Sequence, residues 1–300
     1  MSERAISTAL PERVLGWFDQ HARDLPWRDA EASAWGIFVS EVMLQQTPVA
    51  RVEPVWHQWL DRWPTPAALA ADPPGEAVRA WGRLGYPRRA LRLHAAAQAM
   101  VERFDGQVPG NEAELLTLPG VGTYTAAAVA TFAFGERTVV VDTNVRRVLA
   151  RVVSGEQYAA ISPTRAEHRV AADLVPAEPS VARTWSVAVM ELGALVCTAR
   201  GPHCEDCPVA DLCAWRLAGR PAHRGAPRRG QAWHGTDRMM RGALLAVLRT
   251  SEGPVQRAVL EAVSAETEQR ERCLDSLVAD GLVEPLDGGR FQLPGGQRAG

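Results

Sequence analysis

LPGVGTYTAAAV, residues 118–129, contains two glycines one residue apart directly after a proline, followed by a tyrosine and a run of small residues. Gly120 and Gly122 permit positive φ angles in a tight turn, and the alanines that follow predict a closely packed helix starting at or beside Thr123. Upstream, Asn111 with an acidic residue three positions later predicts a capped helix, which the Leu-Pro pair ends. The sequence therefore predicts two helices joined by a glycine turn.

This turn presents unpaired backbone N–H groups at the start of a helix, where the helix dipole adds partial positive charge. Such groups bind an anion, for example a DNA phosphate, without reading any base. A purely structural helix corner has the same local pattern, so the turn alone leaves both interpretations open. The residues that would contact DNA are Leu118, Gly120, Val121 and Gly122.

Four of the five cysteines stand in CTARGPHCEDCPVADLC, with the spacing C-x6-C-x2-C-x5-C. In a protein that we expect to be cytoplasmic, this spacing indicates metal ligation and not disulfides. Zinc sites usually show two close pairs, whereas one C-x2-C flanked by single cysteines suits a four-thiolate iron–sulfur cluster. We therefore expect a 4Fe-4S cluster, with zinc as the alternative, and a buried core thiol at Cys273. The expected ligands are Cys197, Cys204, Cys207 and Cys213.

Composition limits the chemistry available to this chain of 300 residues, which is 46% hydrophobic and carries a net charge of −2. All 33 basic residues are arginine, which excludes a phosphate-binding P-loop and a lysine Schiff base. The polar N-terminus and the lack of a long apolar run predict a cytoplasmic protein. With so little net charge, DNA binding would depend on local arginine clusters, each of which is more simply read as a solvated face or linker. The clusters are Arg83, Arg88, Arg89 and Arg92; Arg146, Arg147 and Arg151; and Arg220, Arg224, Arg228 and Arg229.

Helical periodicity dominates the sequence, which predicts an all-α fold. Residues 35–45 are apolar nearly all round, as in a buried helix, and Thr47 followed by Pro48 predicts an N-cap and first position of the next helix. Only VVV at 139–141 suggests a strand, and it is too short to build a sheet.

Pro, Gly and Arg crowd residues 217–235, which predicts a linker. Beyond it, the apolar pattern predicts three helices and then a hairpin turned at Asp287 and Gly288. That order favours a winged helix, with a generic helical appendage as the alternative.

The glycine turn, the cysteine spacing and an aspartate in VDTNVRRV some twenty residues after the turn resemble the endonuclease III superfamily of helix-hairpin-helix DNA glycosylases. The resemblance covers roughly residues 10–216. Within it, LPWR at 25–28, SEVMLQQT at 40–47 and GRLGYPRRALRLH at 82–94 resemble the adenine DNA glycosylase branch, the MutY family. The implied domains are an iron–sulfur cluster domain from 1–30 and 137–216, a six-helix module at 31–136, the linker at 217–235 and a small C-terminal domain at 236–300.

Cleaving an N-glycosidic bond requires protonation of the leaving base and stabilisation of positive charge on the sugar, a division of work that suits two carboxylates. Glu41 lies on the apolar helix at 35–45, where desolvation would raise its pKa and keep it a proton donor; the alternative is a helix-edge carboxylate that reaches solvent or an arginine. Asp142 precedes a helix from about Asn144, whose dipole favours the charged form. It would stabilise the sugar cation or form a transient adduct with it, or serve only as an N-cap.

The resemblance adds further roles. N7 of adenine accepts the proton from Glu41, and Asn144 orients water or Asp142. Relatives that also cut the strand carry a lysine at the position of Tyr124, so this chain should be monofunctional and leave an abasic site. Tyr124 would pack near the flipped sugar, orient Asp142 or simply fill space.

The same resemblance implies that Gln46 fills the gap left by the flipped base, with Gln45 beside it in the motif, and that Tyr86 wedges next to the opposite base. Arg28 would lie near the substrate pocket. Each of these side chains has an ordinary packing role as its alternative. Pro87 replaces a second tyrosine usual in the family, which weakens the expectation for contacts near the opposite base.

The implied partner is double-stranded DNA containing 8-oxoguanine:A or G:A mispairs, bound by a monomer in the bacterial nucleoid. One alternative is a thymine glycosylase acting on T:G mismatches, and another is a non-catalytic iron–sulfur DNA-binding protein. The C-terminal 65 residues are too few for the Nudix-like domain common in the family. The sequence leaves open whether Trp233, His234 and Gly235 replace its readout of 8-oxoguanine.

Overall fold

The computed structural model describes residues 3–223, 225 and 235–295, with side chains from residue 8 onward. Within these residues the chain forms two compact units. The first unit takes in Met1–Ala30, Gly110–Leu116 and Gly122–Pro227, and the second Glu31–Pro109, Thr117–Val121 and Arg228–Gly300, so far as these ranges are described. Residues 110–116 and 122–136 therefore pack in the first unit, although the expected six-helix module included them.

Helices account for nearly all of the regular structure in the described residues. One short 3-10 turn, Pro26–Arg28, follows the first helix. The helices in chain order are α1 (Glu3–His21), α2 (Ala34–Met43), α3 (Val49–Arg62), α4 (Pro66–Ala71), α5 (Pro74–Ala80), α6 (Arg88–Arg103), α7 (Glu112–Leu115), α8 (Thr123–Phe134), α9 (Thr143–Val152), α10 (Arg165–Leu174), α11 (Pro179–Leu195), α12 (Ala214–Leu217), α13 (Asp237–Thr250), α14 (Arg257–Glu261) and α15 (Thr267–Ala279). The strands are β1 (Val255–Gln256), β2 (Glu284–Leu286) and β3 (Arg290–Gln292).

The core of the first unit forms where α1, α9 and α11 pack together. In α9 the buried residues Val145, Val148, Leu149 and Val152 recur at helical spacing and make one apolar face. They meet the buried Leu192 of α11 in one continuous cluster. This packing fixes the N-terminus of α9, where Asp142 lies.

In the second unit, α2 is buried from Trp35 to Met43. Nearby, the ring of Trp59 packs edge-on against those of Trp63 and Trp81, with centroids 4.9 and 5.6 Å apart. Such aromatic contacts add to the stabilisation that burial provides. The all-α fold expected from periodicity is confirmed.

Residues 237–292, which we call the winged-helix region, form α13, β1, α14, α15 and the hairpin β2–β3, within the second unit. The antiparallel sheet has the order β1-β3-β2, with Phe291 opposite both Val255 and Pro285. This is the order of a winged helix, so that expectation is confirmed. The sequence pattern missed β1 because two residues show no alternation.

The winged-helix region is attached to α5 by reciprocal contacts at helix C-termini. Arg79 of α5 donates to the carbonyls of Leu248 and Ser251 at the end of α13, at 3.4 and 2.9 Å. In return, Arg249 donates to the carbonyl of Val78 at 2.9 Å. These bonds satisfy carbonyls that a helix end leaves without partners.

Two local expectations need correction. VVV at 139–141 forms no strand, because no described segment pairs with it; instead Val140 is buried by packing. The N-cap of α3 is Pro48 and not Thr47, because the Thr47 hydroxyl is held by the carbonyls of Gln45 and Leu84. Cys273 is buried, as expected.

Trp233 and His234, named as possible readers of 8-oxoguanine, lie outside the described residues, as do Arg224, Arg228 and Arg229. Among the described residues, no helix combines the length and apolarity needed to cross a membrane.

Candidate active site and cysteine cluster

The glycine turn joins α7 to α8 as the sequence predicts. The Asn111 side chain accepts a hydrogen bond from the Glu114 backbone N–H at 2.9 Å, which caps α7. Gly120 has φ +77°, and a Cβ built there would lie 2.6 Å from Cβ of Arg92. Both the backbone angle and the space therefore require glycine at this position.

Gly122 behaves differently from the expectation of a positive φ. It is the N-cap of α8 with φ −104° and ψ 177°, an extended conformation open to any residue. A Cβ there would meet nothing within 4 Å. What glycine provides at this position is a helix N-terminus without a covering side chain. Of the other turn residues, Leu118 is buried and Val121 is half-buried.

The four residues expected to act in catalysis fall in both units. Glu41 lies on α2 in the second unit and is 5% exposed, so it does not reach solvent as a helix-edge carboxylate would. Tyr124, in the first turn of α8, is half-buried and belongs to the first unit, as do Asp142 and Asn144. Their roles in catalysis stay predictions.

Asp142 is the N-cap of α9 and uses both carboxylate oxygens. Oδ1 accepts a hydrogen bond from the Val145 backbone N–H at 2.6 Å, and Oδ2 accepts one from Nδ2 of Asn144 at 2.8 Å. The two bonds fix the orientation of the carboxylate at the positive end of the helix dipole.

The pKa of Asp142 differs from the expectation based on the dipole. Judged by its solvent-accessible surface, the whole residue is half-buried. Its carboxyl group, however, is surrounded by protein atoms, and this burial raises its pKa above the ordinary value of 3.8. The hydrogen bonds from Val145 and Asn144 and the charge of Arg147 lower the pKa by less. Desolvation therefore outweighs the helix terminus, and the charged form of Asp142 is costly.

A chain of hydrogen bonds runs from Asp142 to the cysteine segment. Arg147 donates to Oδ1 of Asn144 at 2.7 Å, to the carbonyl of Gly193 at 2.6 Å and to the carbonyl of Cys197 at 2.7 Å. A Cβ on Gly193 would lie 2.6 Å from Cβ of Asn144, so this glycine lets α11 approach α9. The sequence places Arg147 only in an arginine cluster, with no sign that it supports Asp142, and nothing local marks Gly193.

The four expected cysteine ligands lie around one cavity, and none forms a disulfide. Burial raises the pKa of Cys207 to about 11 and also raises that of Cys213. These thiols become thiolates when bound iron supplies positive charge. Four thiol groups around one cavity form the donor set that holds a 4Fe-4S cluster.

Arg151 lies on the inner side of the cysteine segment and is 1% exposed. Its guanidinium donates to Sγ of Cys197 at 3.3 Å and to the carbonyl of Thr198 at 2.8 Å, and lies 4.9 Å from the ring centroid of Trp215. A buried cation next to the thiolates offsets part of their negative charge.

Arg28 forms an ion pair inside the first unit. Its guanidinium donates to Oε2 of Glu191 at 2.8 Å, and Arg23 donates to the same carboxylate through Nε at 2.7 Å and NH2 at 2.8 Å. Burial by itself would raise the pKa of Glu191, but the hydrogen bonds from Arg23 and Arg28 outweigh burial and lower it to about 2. The predicted contact between Arg28 and the substrate stays untested.

The residues expected to enter the duplex stand in two loops of the second unit. Gln46 is exposed and Tyr86 is 49% exposed, whereas Gln45 is half-buried. Both Gln46 and Tyr86 have positive φ angles, at +55° and +46°. Residues other than glycine rarely adopt positive φ.

The described members of the arginine clusters differ in exposure and in their partners. Arg89 and Arg151 are buried, and Arg146 pairs with Glu167 at 2.8 Å. Arg88 pairs with Asp280 of the winged-helix region at 3.2 Å. Arg83, Arg88 and Arg92 are exposed.

Comparison with known proteins adds independent evidence. Residues 39–171 match the model of the HhH-GPD superfamily of base excision DNA repair proteins, and residues 197–213 match that of the iron–sulfur binding domain of endonuclease III. The chain is 55% identical over 286 residues to the adenine DNA glycosylase of Mycolicibacterium smegmatis, covering 95% of this chain and 96% of that protein.

It is 53% identical over 283 residues to the adenine DNA glycosylase of Mycobacterium tuberculosis H37Rv, covering 94% and 92% of the two chains. Among solved structures it is similar to a thermostable thymine-DNA glycosylase, with a TM-score of 0.65 and 28% identity over 72% of this chain and 98% of the other. The match at 197–213 spans the cysteine segment, so the chain has the 4Fe-4S cluster of this family; the four cysteines stay its predicted ligands.

Proposed function

Because this chain belongs to the adenine DNA glycosylase family within the HhH-GPD superfamily, we propose that it removes adenine mispaired with 8-oxoguanine or guanine in double-stranded DNA. The observation that carries the proposal is the Asp142 carboxylate, fixed by Val145 and Asn144 at the N-terminus of α9. A carboxylate held in this way suits the stabilisation of a sugar cation. The identity to adenine DNA glycosylases supports adenine as the base removed.

The proposed reaction begins with extrusion of the adenosine from the helix. Glu41, which is buried on an apolar helix, transfers its proton to N7 of adenine while the N-glycosidic bond breaks and its electron pair leaves with the base. The Asp142 carboxylate stabilises the cation at C1′, as an ion pair or as a transient covalent adduct. Water then adds at C1′, breaking the bond to Asp142 where an adduct has formed, and gives its proton to the Glu41 carboxylate, which leaves an abasic sugar and restores the acid form of Glu41.

Tyr124 and the composition of the chain support a monofunctional enzyme. Strand cutting by this superfamily requires an amine that attacks C1′, and the sequence contains arginine but no lysine. A phenol at position 124 has no such reactivity at neutral pH. The product would therefore be an intact strand with an abasic site.

The glycine turn binds the DNA backbone without contacting any base. Gly122 leaves the N-terminus of α8 without a covering side chain, which suits a phosphate at that helix terminus. A 4Fe-4S cluster on the four cysteines would cross-link residues 197–213 and hold the Cys197 carbonyl that Arg147 contacts. Asp142 would in this way be supported by the cysteine segment through Asn144 and Arg147.

The proposal is tested with purified protein and duplexes that contain 8-oxoguanine:A, G:A, G:T or thymine glycol:A, each with and without alkali. We expect free adenine from the first two duplexes and strand breaks only after alkali. Breaks without alkali would contradict the monofunctional assignment. Preferential release of thymine from G:T would favour the thymine glycosylase that the similar solved structure suggests, and binding with no base released would favour a non-catalytic protein.

A further inference from the structure

Two loops of the second unit carry the side chains proposed to enter DNA, and both have unusual backbone geometry. Gln46 follows the end of α2 with φ +55°, and Tyr86 precedes α6 with φ +46°. Residues other than glycine adopt such angles when the surrounding structure holds them there. The contacts that hold these two loops are therefore of functional interest.

One side chain contacts both loops. Arg89, in the first turn of α6, is 6% exposed. Through one nitrogen it donates to the carbonyls of Val42, Met43 and Gln45, at 2.9, 3.0 and 2.6 Å. Through its other terminal nitrogen it donates to the Thr47 hydroxyl at 3.0 Å and the Gly85 carbonyl at 3.2 Å.

The contacts of Arg89 bracket the two strained residues. Gln45 and Thr47 are the immediate neighbours of Gln46, and Gly85 immediately precedes Tyr86. The guanidinium also lies 5.6 Å from the ring centroid of Tyr86 and 5.2 Å from that of Trp81, within the range of a cation–π interaction.

Arginine suits this position because its planar group offers several donors in a fixed arrangement, whereas a lysine ammonium cannot reach acceptors on two sides. Its hydrogen-bond partners are four carbonyl oxygens and one hydroxyl oxygen. Burial lowers its pKa to about 10, and it therefore remains charged at neutral pH.

We propose that Arg89 is a positioning residue that locks the Gln46 and Tyr86 loops to each other, so that both side chains enter the duplex in one fixed arrangement. The inference rests on the proposed function, since it concerns how that function unstacks DNA. Arg89 is buried and acts through its neighbours, and it does not touch the base that is removed.

The test compares Arg89→Lys with wild type and with Arg270→Lys as a matched control. Arg270 is also a buried arginine, 8% exposed, that donates to carbonyls, those of Glu261 and Ser264, inside the winged-helix region. One readout is the fluorescence of 2-aminopurine placed beside the mispaired adenine, which reports unstacking and needs no excision. The other is the single-turnover rate of adenine release. We expect Arg89→Lys to lower the fluorescence increase on binding and the rate of adenine release by about tenfold each. Arg270→Lys should change the melting temperature but neither of these two readouts.

A combination of substitutions separates positioning from general loss of structure. If Arg89 acts through the two loops, Arg89→Lys should have little further effect in a Gln46→Ala/Tyr86→Ala background. The inference would be overturned if Arg89→Lys lowered the two readouts by the same factor in the Gln46→Ala/Tyr86→Ala background as in wild type. It would also be overturned if the Arg89→Lys protein differed from wild type only in melting temperature. A wild-type protein that raises the fluorescence but releases no adenine would refute the proposed function and leave the role of Arg89 measurable.

Discussion

Asp142 and Glu191 are both enclosed carboxylates of the first unit, and their surroundings are opposite in character. Glu191 accepts hydrogen bonds from two guanidinium groups, which lower its pKa to about 2. Asp142 accepts from an amide and a backbone N–H, and burial raises its pKa. The protein therefore stabilises the charge of one carboxylate and leaves the charge of the other costly.

The difference separates a structural role from a reactive one. A carboxylate paired with two arginines lowers the free energy of the folded state, but its charge is already neutralised and cannot attract a sugar cation. A carboxylate whose charge is poorly compensated destabilises the fold slightly and gains more when a cation forms beside it. On this basis the substitution of each residue should affect a different property.

The largest effect is expected from Asp142→Asn. Asparagine is an equally good N-cap, so the helix keeps its start, but the sugar cation loses its counter-charge. We expect adenine release to fall by at least about 10³-fold, as when a comparable electrostatic group is removed from an active site, with DNA binding retained. Because the charge of Asp142 is costly, the melting temperature should stay equal or rise. Turnover near the wild-type rate, or a clear fall in melting temperature, would reverse the assignment of roles.

Glu191→Gln should show the reverse pattern. Removing one partner from a buried ion pair leaves Arg23 and Arg28 uncompensated, at a cost of about 3 kcal/mol in the free energy of unfolding. Chemical denaturation measures this loss, and the folded fraction should release adenine at a rate within a few-fold of wild type. Glu261→Gln is the matched control, because its pair with Arg257 is exposed on both sides and contributes little. If Glu191→Gln lowered the free energy of unfolding no more than Glu261→Gln does, the contrast between Glu191 and Asp142 would not hold.

The pH dependence of stability follows from the same two groups. Glu191 has a folded-state pKa lowered from 4.5 to about 2. Its contribution of about 3 kcal/mol is fully present above pH 4.5 and is lost as pH falls towards 2. The pKa of Asp142 is raised, so its ionisation opposes folding above pH 3.8. In denaturation curves between pH 6 and 2, the wild type should lose stability and Glu191→Gln should lose markedly less; parallel curves would contradict this assignment.

Features with a local signature were predictable from sequence. The glycine turn, the cap at Asn111 and the cysteine spacing all lie within short segments, where residue type and backbone geometry are directly linked. The winged-helix order was also predictable, because its helices and hairpin follow one another along the chain. The two-residue strand β1 was not predicted, because its pairing with β3 is a long-range contact.

Features of the site that depend on distant segments were not predictable. Arg147 meets the carbonyl of Cys197, fifty positions away, and Arg23 meets Glu191 at a separation of 168. Nothing in the sequence around Arg89 distinguishes a buried guanidinium from the solvated one expected there. Likewise, the dipole argument for Asp142 omitted desolvation, whose size depends on the surrounding fold.

The smallest effect is expected from a substitution of Gly193, which tests how Asp142, in contrast to Glu191, is held in place. A methyl group there would lie 2.6 Å from Cβ of Asn144 and 3.1 Å from its carbonyl oxygen, so Gly193→Ala must push α9 away from α11. Because Asp142 is held through Asn144, a shift of a few tenths of an ångström should lower the rate of adenine release by about tenfold, with a modest loss of stability.

Gly16→Ala is the matched control in the same unit, since a methyl group on that position of α1 meets nothing within 4 Å and alanine favours a helix. The control should match or exceed wild type in stability and keep its activity. If Gly193→Ala loses stability but keeps the wild-type rate, the support of Asp142 through Asn144 is dispensable. Asp142 would then need only its bond to the Val145 N–H, and its difference from Glu191 would lie in the missing arginines alone.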